Sequence, residues 1–383
     1  MAKKKQDYSK EEGRTLDMSP VVENGKAFCG LPQTPARVFS LDVAPDREAM
    51  ILLLGNKWAN GTILHYYFFD QPSDGEFVFF SDGTKQWRTW TADNNQKEVV
   101  RAAFDVWAGV GIGLEFKEVT TRGEAEIRIG FMQGDGSWSF IGRDILPKGP
   151  DERTMNFGWD LTRKGEIDTA THEIGHTLGF PHEHQNPNSG IIWNEEAVYA
   201  ALAQPPNGWS REKTFFNIIR KISPDTIKGS NWDPNSVMHY PFGPGLILSP
   251  KQFQKGISPK GGLSDFDKVW VKQFYPQLSP HNDPMLRPFE SIKLNLASGD
   301  QQNFDIEPTD TRYYTMQVFG ASDVVAALFE EINGEYQFKT ADDDSGVNRN
   351  ATIRIKLFKG RRYKLRVRLY YSGSTENNAI MMW

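Results

Sequence analysis

The chain has 383 residues, 38% hydrophobic and 13% aromatic, enough for two or three domains that each bury a core. A formal net charge of -5 without a basic block argues against a nucleic-acid or anionic-membrane binder. The single cysteine, Cys29, excludes an intrachain disulfide, and no run of about 18 apolar residues marks a transmembrane helix.

The first fifty or so residues are polar and punctuated by Pro and Gly, and their leading lysines are not followed by the apolar stretch of a signal peptide. Strands are expected at Met50–Leu54 and Thr62–Phe69, separated by the turn residues Asn60-Gly61. Val99, Val100, Ala103, Phe104 and Trp107 form one helical stripe, predicting an amphipathic helix over 96–107. In Ala125–Phe131 every second residue is apolar, which places Ile127, Ile129 and Phe131 on one face of a strand. A second amphipathic helix after Ser264 carries Phe266, Val269, Trp270, Val271 and Phe274 and stops at Tyr275-Pro276. Beyond a linker the character changes to short β-rich runs at 291–296, 313–319, 324–330, 352–357 and 363–371, the pattern of an all-β sandwich. Within it, Asp342-Asp-Asp-Ser-Gly346 suits a hairpin turn or a calcium loop. Lys359, Arg361 and Arg362 suit a solvated turn.

Residues 171–184, THEIGHTLGFPHEH, hold four of the seven histidines. Read as a helix capped by Asp168 or Thr169 and ended by Gly179 and Pro181, the stretch puts His172 and His176 on one face, a turn apart. Gly179 can take a positive φ and reverse the chain, so that His182 approaches the same point. Three neutral imidazoles on a tetrahedral zinc ion leave a position open for water. Glu173, next to the first ligand, is placed to take that water's proton and pass it to a leaving amine. The five fixed residues of HExxHxxGxxH set this apart from a helix end that merely carries surface histidines. His184 has no spacing argument and is expected to pack behind the ligands or to face solvent.

These residues resemble the metzincin metalloproteases, whose zinc motif is followed by a methionine-containing turn. Glu183 directly after the third histidine, and Asn235-Ser-Val-Met-His-Tyr240 downstream, are similar to the astacin family in particular. Lys57–Tyr66, Gly136–Arg143 and Leu263–Pro276 resemble that family's first strand, the approach to its substrate-binding edge strand and its final helix. Ser137 stands where the family often has Cys. The resemblance implies an α+β fold with a mixed twisted sheet and an active-site helix, followed by a small all-β sandwich. It implies a zinc endopeptidase acting on proteins or peptides, with one catalytic zinc on His172, His176 and His182. Glu173 would be the base, Met238 the floor, and Tyr240 a fifth ligand that swings to stabilise the tetrahedral intermediate.

The resemblance also implies a pro-segment over 1–48, a catalytic domain over 49–278, a linker over 279–287 and the sandwich over 288–383. The mature amine near Ala49 would be buried against Glu183, unless residues 1–48 are only a flexible tail; Cys29 is either a zinc ligand of the latent form, as a zymogen thiol, or an inert, partly buried thiol. The sandwich is similar to bacterial pre-peptidase C-terminal domains. A monomer without nucleic-acid or membrane partners is expected, and the family is mostly secreted although no signal peptide is seen. Two other readings stay open at this stage: a binding protein on a dead protease scaffold, and a metalloenzyme acting on something other than peptides.

Overall fold

The computed structural model describes residues 28–34, 57–58, 62–80, 83–222, 231–277, 283–296, 300–320, 322, 324–343, 345–346, 350–369 and 378–383. The expected strand at 50–54, the turn at 60–61 and the start near Ala49 lie outside them. The chain divides into two compact units. One comprises Met1–Trp58, His65–Trp107 and Glu118–Asp267, the other Ala59–Leu64, Ala108–Lys117 and Lys268–Trp383.

Mixed α+β structure comes first. In chain order it holds β1 (Ile63–Phe68), β2 (Gly75–Phe79), β3 (Lys85–Thr89), α1 (Asn94–Ala108), β4 (Glu115–Glu118), β5 (Ile127–Gly130), β6 (Trp138–Ser139) and β7 (Met155–Asn156). Then come α2 (Ile167–Thr177), β8 (Ile192–Trp193), α3 (Glu195–Leu202), α4 (Arg211–Thr214), β9 (Ile247–Ser249) and α5 (Asp265–Phe274). Five strands form one sheet in the order β4-β1-β5-β7-β6. β5 runs parallel to β1 and β7, whereas β6 is antiparallel to β7 and forms an edge.

The helix expected over 96–107 is α1, and it buries Val100, Ala103, Phe104 and Trp107, with Val99 half-buried. β5 differs from the one-sided strand that its alternation suggests, because all four of its residues are buried. As an interior parallel strand it is covered on both faces. Arg128 survives there because its guanidinium donates to the carbonyls of Ala125, Glu152 and Lys148. The apolar stripe expected on α5 is mostly uncovered: Val271 is buried, but Phe266 and Val269 are exposed. Periodicity marks a helix's apolar side without saying that a neighbour covers all of it.

An all-β region follows. It comprises β10 (Ser291–Leu294), β11 (Gln301–Ile306), β12 (Arg312–Phe319), β13 (Val324–Ile332), β14 (Glu335–Asp342), β15 (Thr352–Leu357), β16 (Tyr363–Leu369) and β17 (Asn378–Met382). They form two four-stranded sheets, β10-β17-β12-β15 and β11-β16-β13-β14. Leu294, Phe304, Tyr314, Met316, Leu328, Leu365 and Met382 belong to one buried cluster. Five of these strands match the β-rich runs. β11, β14 and β17 were not expected, since only Phe304 and Ile306 are buried in β11 and β14 buries no residue fully.

Asp342, the last residue of β14, accepts through its carboxylate from the amides of Ser345 (3.0 Å) and Thr352 (2.7 Å). Arg361 pairs with the buried Glu330, and Arg362 with Glu331, so the basic turn is tied to β13 rather than only solvated. Asp342→Ala removes the acceptor of two amides and is expected to cost the sandwich about 1–3 kcal/mol. Urea unfolding followed by tryptophan fluorescence measures this, and an unchanged midpoint would contradict it.

Candidate metal centre

Helix α2 is buried all round: every residue from Thr169 to Thr177 is covered. Its histidines are therefore not a polar surface end. Flanking indoles hold it in place, since Trp107 Nε1 donates to Thr171 O (2.9 Å) and Trp58 Nε1 to Thr177 O (2.8 Å). The helix begins after Glu166, one turn from where Asp168 or Thr169 would cap it. Glu166 instead accepts from the Thr169 hydroxyl, and Asp168 turns away to accept from the Gly262 amide. At the other end Gly179 has φ 93°, its amide reaches His176 O, and the Phe180 amide reaches Gly175 O. That pair of bonds is a Schellman stop, and it brings the chain back toward the helix at His182.

His172 Nδ1 donates to Val237 O and His176 Nδ1 to Phe180 O, each at 2.7 Å. These bonds fix the tautomer and leave each Nε2 with a lone pair. Burial and neighbouring imidazoles hold His176 and His182 well below the usual histidine range, so both are neutral. One ligand atom each from Cys29, His172, His176 and His182 lies within 4.8 Å of all the others.

The spacing fits a tetrahedral ion. Zinc bond lengths put two imidazole nitrogens about 3.3 Å apart, and a nitrogen and a sulfur about 3.6 Å apart. His176 Nε2 and His182 Nε2 are 3.1 Å apart, and Cys29 Sγ lies 3.6 Å from His176 Nε2. With its Nδ1 bonded to Phe180 O, His176 presents the Nε2 lone pair to His182 Nε2, as an acceptor of that ring's N–H or as a fellow ligand of a shared cation.

Glu173 is 1% exposed, with Oε2 3.4 Å from Cys29 Sγ. Burial pushes its carboxyl up to about 8, and burial together with Glu173 pushes the Cys29 thiol up as well. A divalent ion among them reverses that preference, because a coordinating thiol is deprotonated outright.

Beneath α2, Met238 presses its thioether on the helix where Gly175 has no side chain. A Cβ at Gly175 would meet Met238 Sδ at 2.3 Å. Asp267, at the start of α5, fixes this turn by accepting from Ser236 Oγ (2.6 Å), Val237 N (2.9 Å) and Ser264 N (2.9 Å). Val237 in turn supplies the carbonyl that orients His172. Neither Gly175 nor Asp267 was singled out for this from sequence, although both stand inside quoted motifs.

Glu183 Oε1 accepts from the Asp233 amide (3.0 Å) and from Asn186 Nδ2 (3.1 Å). His184 does not face solvent. It is fully buried, stacks on His182 at 5.1 Å and bonds Asn217 O through Nε2 at 2.9 Å.

Residues 28–34 lie across the cluster. Tyr240 Oη donates to Cys29 O (2.7 Å) and sits 2.5 Å from His182 Nε2. Phe28 packs on Tyr240 and Phe242. The Leu31 amide donates to Asn217 Oδ1 (2.9 Å). Ser139, on the edge strand β6, touches Thr177 of α2 through its hydroxyl. Ser137, where a family cysteine was noted, accepts from the Gly158 amide.

Two imidazoles one helical turn apart, a third beyond a left-handed glycine and a methionine turn beneath them define a metzincin-type metallopeptidase fold. The family comparison is more specific. The model for Astacin, described as a peptidase family, matches residues 84–275, half of the chain, and the chain belongs to the astacin family. Protein SpAN of Strongylocentrotus purpuratus is 27% identical over 156 residues, covering 39% of this chain and 22% of its own length. Zinc metalloproteinase nas-36 of Haemonchus contortus is 30% identical over 170 residues, covering 42% and 25%. The chain thus spans about a quarter or less of these curated relatives. The solved structure of myroilysin covers 59% of this chain and 98% of its own at 29% identity, with a TM-score of 0.49.

Asp267→Asn leaves one oxygen to do the work of two and turns an amide toward existing donors. Zinc affinity, measured by chelator competition, is expected to fall about tenfold or more while the fold persists. Equal affinity for both chains would exclude Asp267 from orienting His172 through Val237.

Proposed function

We propose that the chain is a zinc-dependent endopeptidase made as a latent precursor, with His172, His176 and His182 holding the ion and Cys29 occupying its fourth position before activation. The observation that carries this reading is the convergence of three buried imidazoles beside the buried carboxyl of Glu173, with a stretch of the same chain laid across them. Membership of a peptidase family and a relative named a zinc metalloproteinase support it. When bound, the zinc ion supplies a Lewis acid that makes water nucleophilic near neutral pH.

The residues divide the remaining work. Glu173 accepts the proton of the attacking water and delivers it to the leaving amine. Tyr240, freed from Cys29 O, donates its hydroxyl to the oxyanion as the carbonyl becomes tetrahedral. Met238 supports α2 from below, and Glu183 receives the new amine after removal of residues 1–48. Residues 49–278 form the catalytic domain, 279–287 a linker, and 288–383 an accessory sandwich similar to pre-peptidase C-terminal domains. The substrate is an extended polypeptide, which can pair with the edge strand β6. A monomer is enough for this chemistry, because every residue assigned comes from one chain.

Two measurements bear on this. Casein cleavage by Glu173→Ala should drop by about 10²–10⁴ with one zinc still bound per chain; retained cleavage would remove Glu173 from the reaction, and zinc bound without any wild-type cleavage would favour a binding protein. For latency, Cys29→Ser replaces a strong zinc ligand by a poor one. The unprocessed variant should hydrolyse peptide at least about tenfold faster than the unprocessed wild type. Equal rates would leave Cys29 a packed thiol and nothing more.

A further inference from the structure

Asn217 is 1% exposed and sits in the middle of Phe215–Ile219, a π-helical turn that directly follows α4 and ends at Arg220. Such turns are rare and cluster at functional sites, because the extra residue re-aims a side chain that a regular helix would point elsewhere. Here three bonds fix the residue. Its Nδ2 donates to Lys213 O (3.0 Å), its backbone carbonyl accepts from His184 Nε2 (2.9 Å), and its Oδ1 accepts from the Leu31 amide (2.9 Å). The first two belong to the fold. The third is made to the segment that crosses the metal cluster, and it leaves when that segment leaves.

We propose that Asn217 is a substrate-binding residue of this peptidase: its Oδ1 accepts one backbone N–H of an extended peptide substrate, at the place the Leu31 amide holds in the latent chain. The inference rests on the peptidase reading above. With Nδ2 committed to Lys213 O, the amide cannot flip, so Oδ1 stays aimed at the cleft and discriminates for a donor. Two residues earlier in the segment, Cys29 O meets Tyr240. The site therefore grips a polypeptide backbone at both ends of a short stretch, a carbonyl at Tyr240 and an amide at Asn217. Because both contacts are to main chain, they bind peptides of any sequence that does not place proline at the Asn217 contact.

The test compares wild type with Asn217→Leu, which keeps the size but loses the acceptor, and Asn217→Asp, whose carboxyl, kept protonated by burial, retains the acceptor and donates its O–H to Lys213 O in place of Nδ2. In the zinc-loaded full chain, alkylation of the buried Cys29 reads release of the segment. Asn217→Leu should speed it about fivefold to tenfold, the loss of one buried hydrogen bond, and Asn217→Asp should stay within about threefold of wild type. After limited trypsin cuts the segment, with melting as the check on folding, hydrolysis of a quenched peptide reads substrate binding. There Asn217→Leu should raise KM about tenfold with kcat little changed, and Asn217→Asp should restore it. An unchanged KM in a normally melting Asn217→Leu chain overturns the proposal. So does an equal fall of kcat in both variants, which would make Asn217 a packing residue of the π-helical turn. A wild type that cleaves no peptide sinks the peptidase reading and the substrate half with it. The alkylation ratio then still decides the Leu31 contact on its own.

Discussion

The molecule is organised around one electrostatic constraint: three imidazoles and a thiol are buried with one ligand atom each converging on a space that can hold a cation. His176 Nε2 and His182 Nε2 are 3.1 Å apart, and the bond from His176 Nδ1 to Phe180 O leaves the His176 Nε2 lone pair facing the ring of His182. Nearly every feature of the first unit serves to hold that arrangement. Indoles of Trp58 and Trp107 pin α2, Gly179 turns the chain back, and Met238 lies against the bare backbone at Gly175. Asp267 secures the methionine turn that presents Val237 O to His172. The orientation of His172 and His176 is thus settled by backbone carbonyls, which cannot be titrated or easily substituted.

The ligand set was legible in the sequence because helical geometry converts spacing directly into position. The four-residue step from His172 to His176 puts both on one face, and Gly179 announces a left-handed stop. Met238 and Tyr240 came from the family's motif rather than from any periodicity. Asn217 left no trace, since a π-helical turn has no residue pattern of its own and an asparagine among apolar neighbours looks like an ordinary buried amide. Asp267 was visible only as part of a motif, because its partners are mostly main-chain amides, whose place no side-chain pattern reveals.

The fold shows the same division. Strands whose inward residues are all large and apolar, such as β12 and β15, stood out. β14 escaped notice because none of its residues is fully buried, so its alternation carries little hydrophobic contrast. The helix α5 was found from its stripe, yet Phe266 and Val269 remain exposed. An apolar stripe records where a helix can be covered. In β5 the reverse happened: Arg128 looked like a solvent-facing residue and proved to be buried, satisfied by three carbonyls.

The segment at 28–34 belongs to the same chain as the cluster it crosses, and that fact alters the kinetics of the contact. A tethered ligand acts at an effective concentration on the order of millimolar, whatever the dilution of the protein. Cys29, Tyr240 and Asn217 can therefore hold the segment through a few ordinary bonds, without an exceptional affinity. One cut between Thr34 and Lys57 changes no contact distance, yet it turns a unimolecular equilibrium into a bimolecular one. At submicromolar protein the same bonds no longer suffice, and the freed fragment departs by dilution alone.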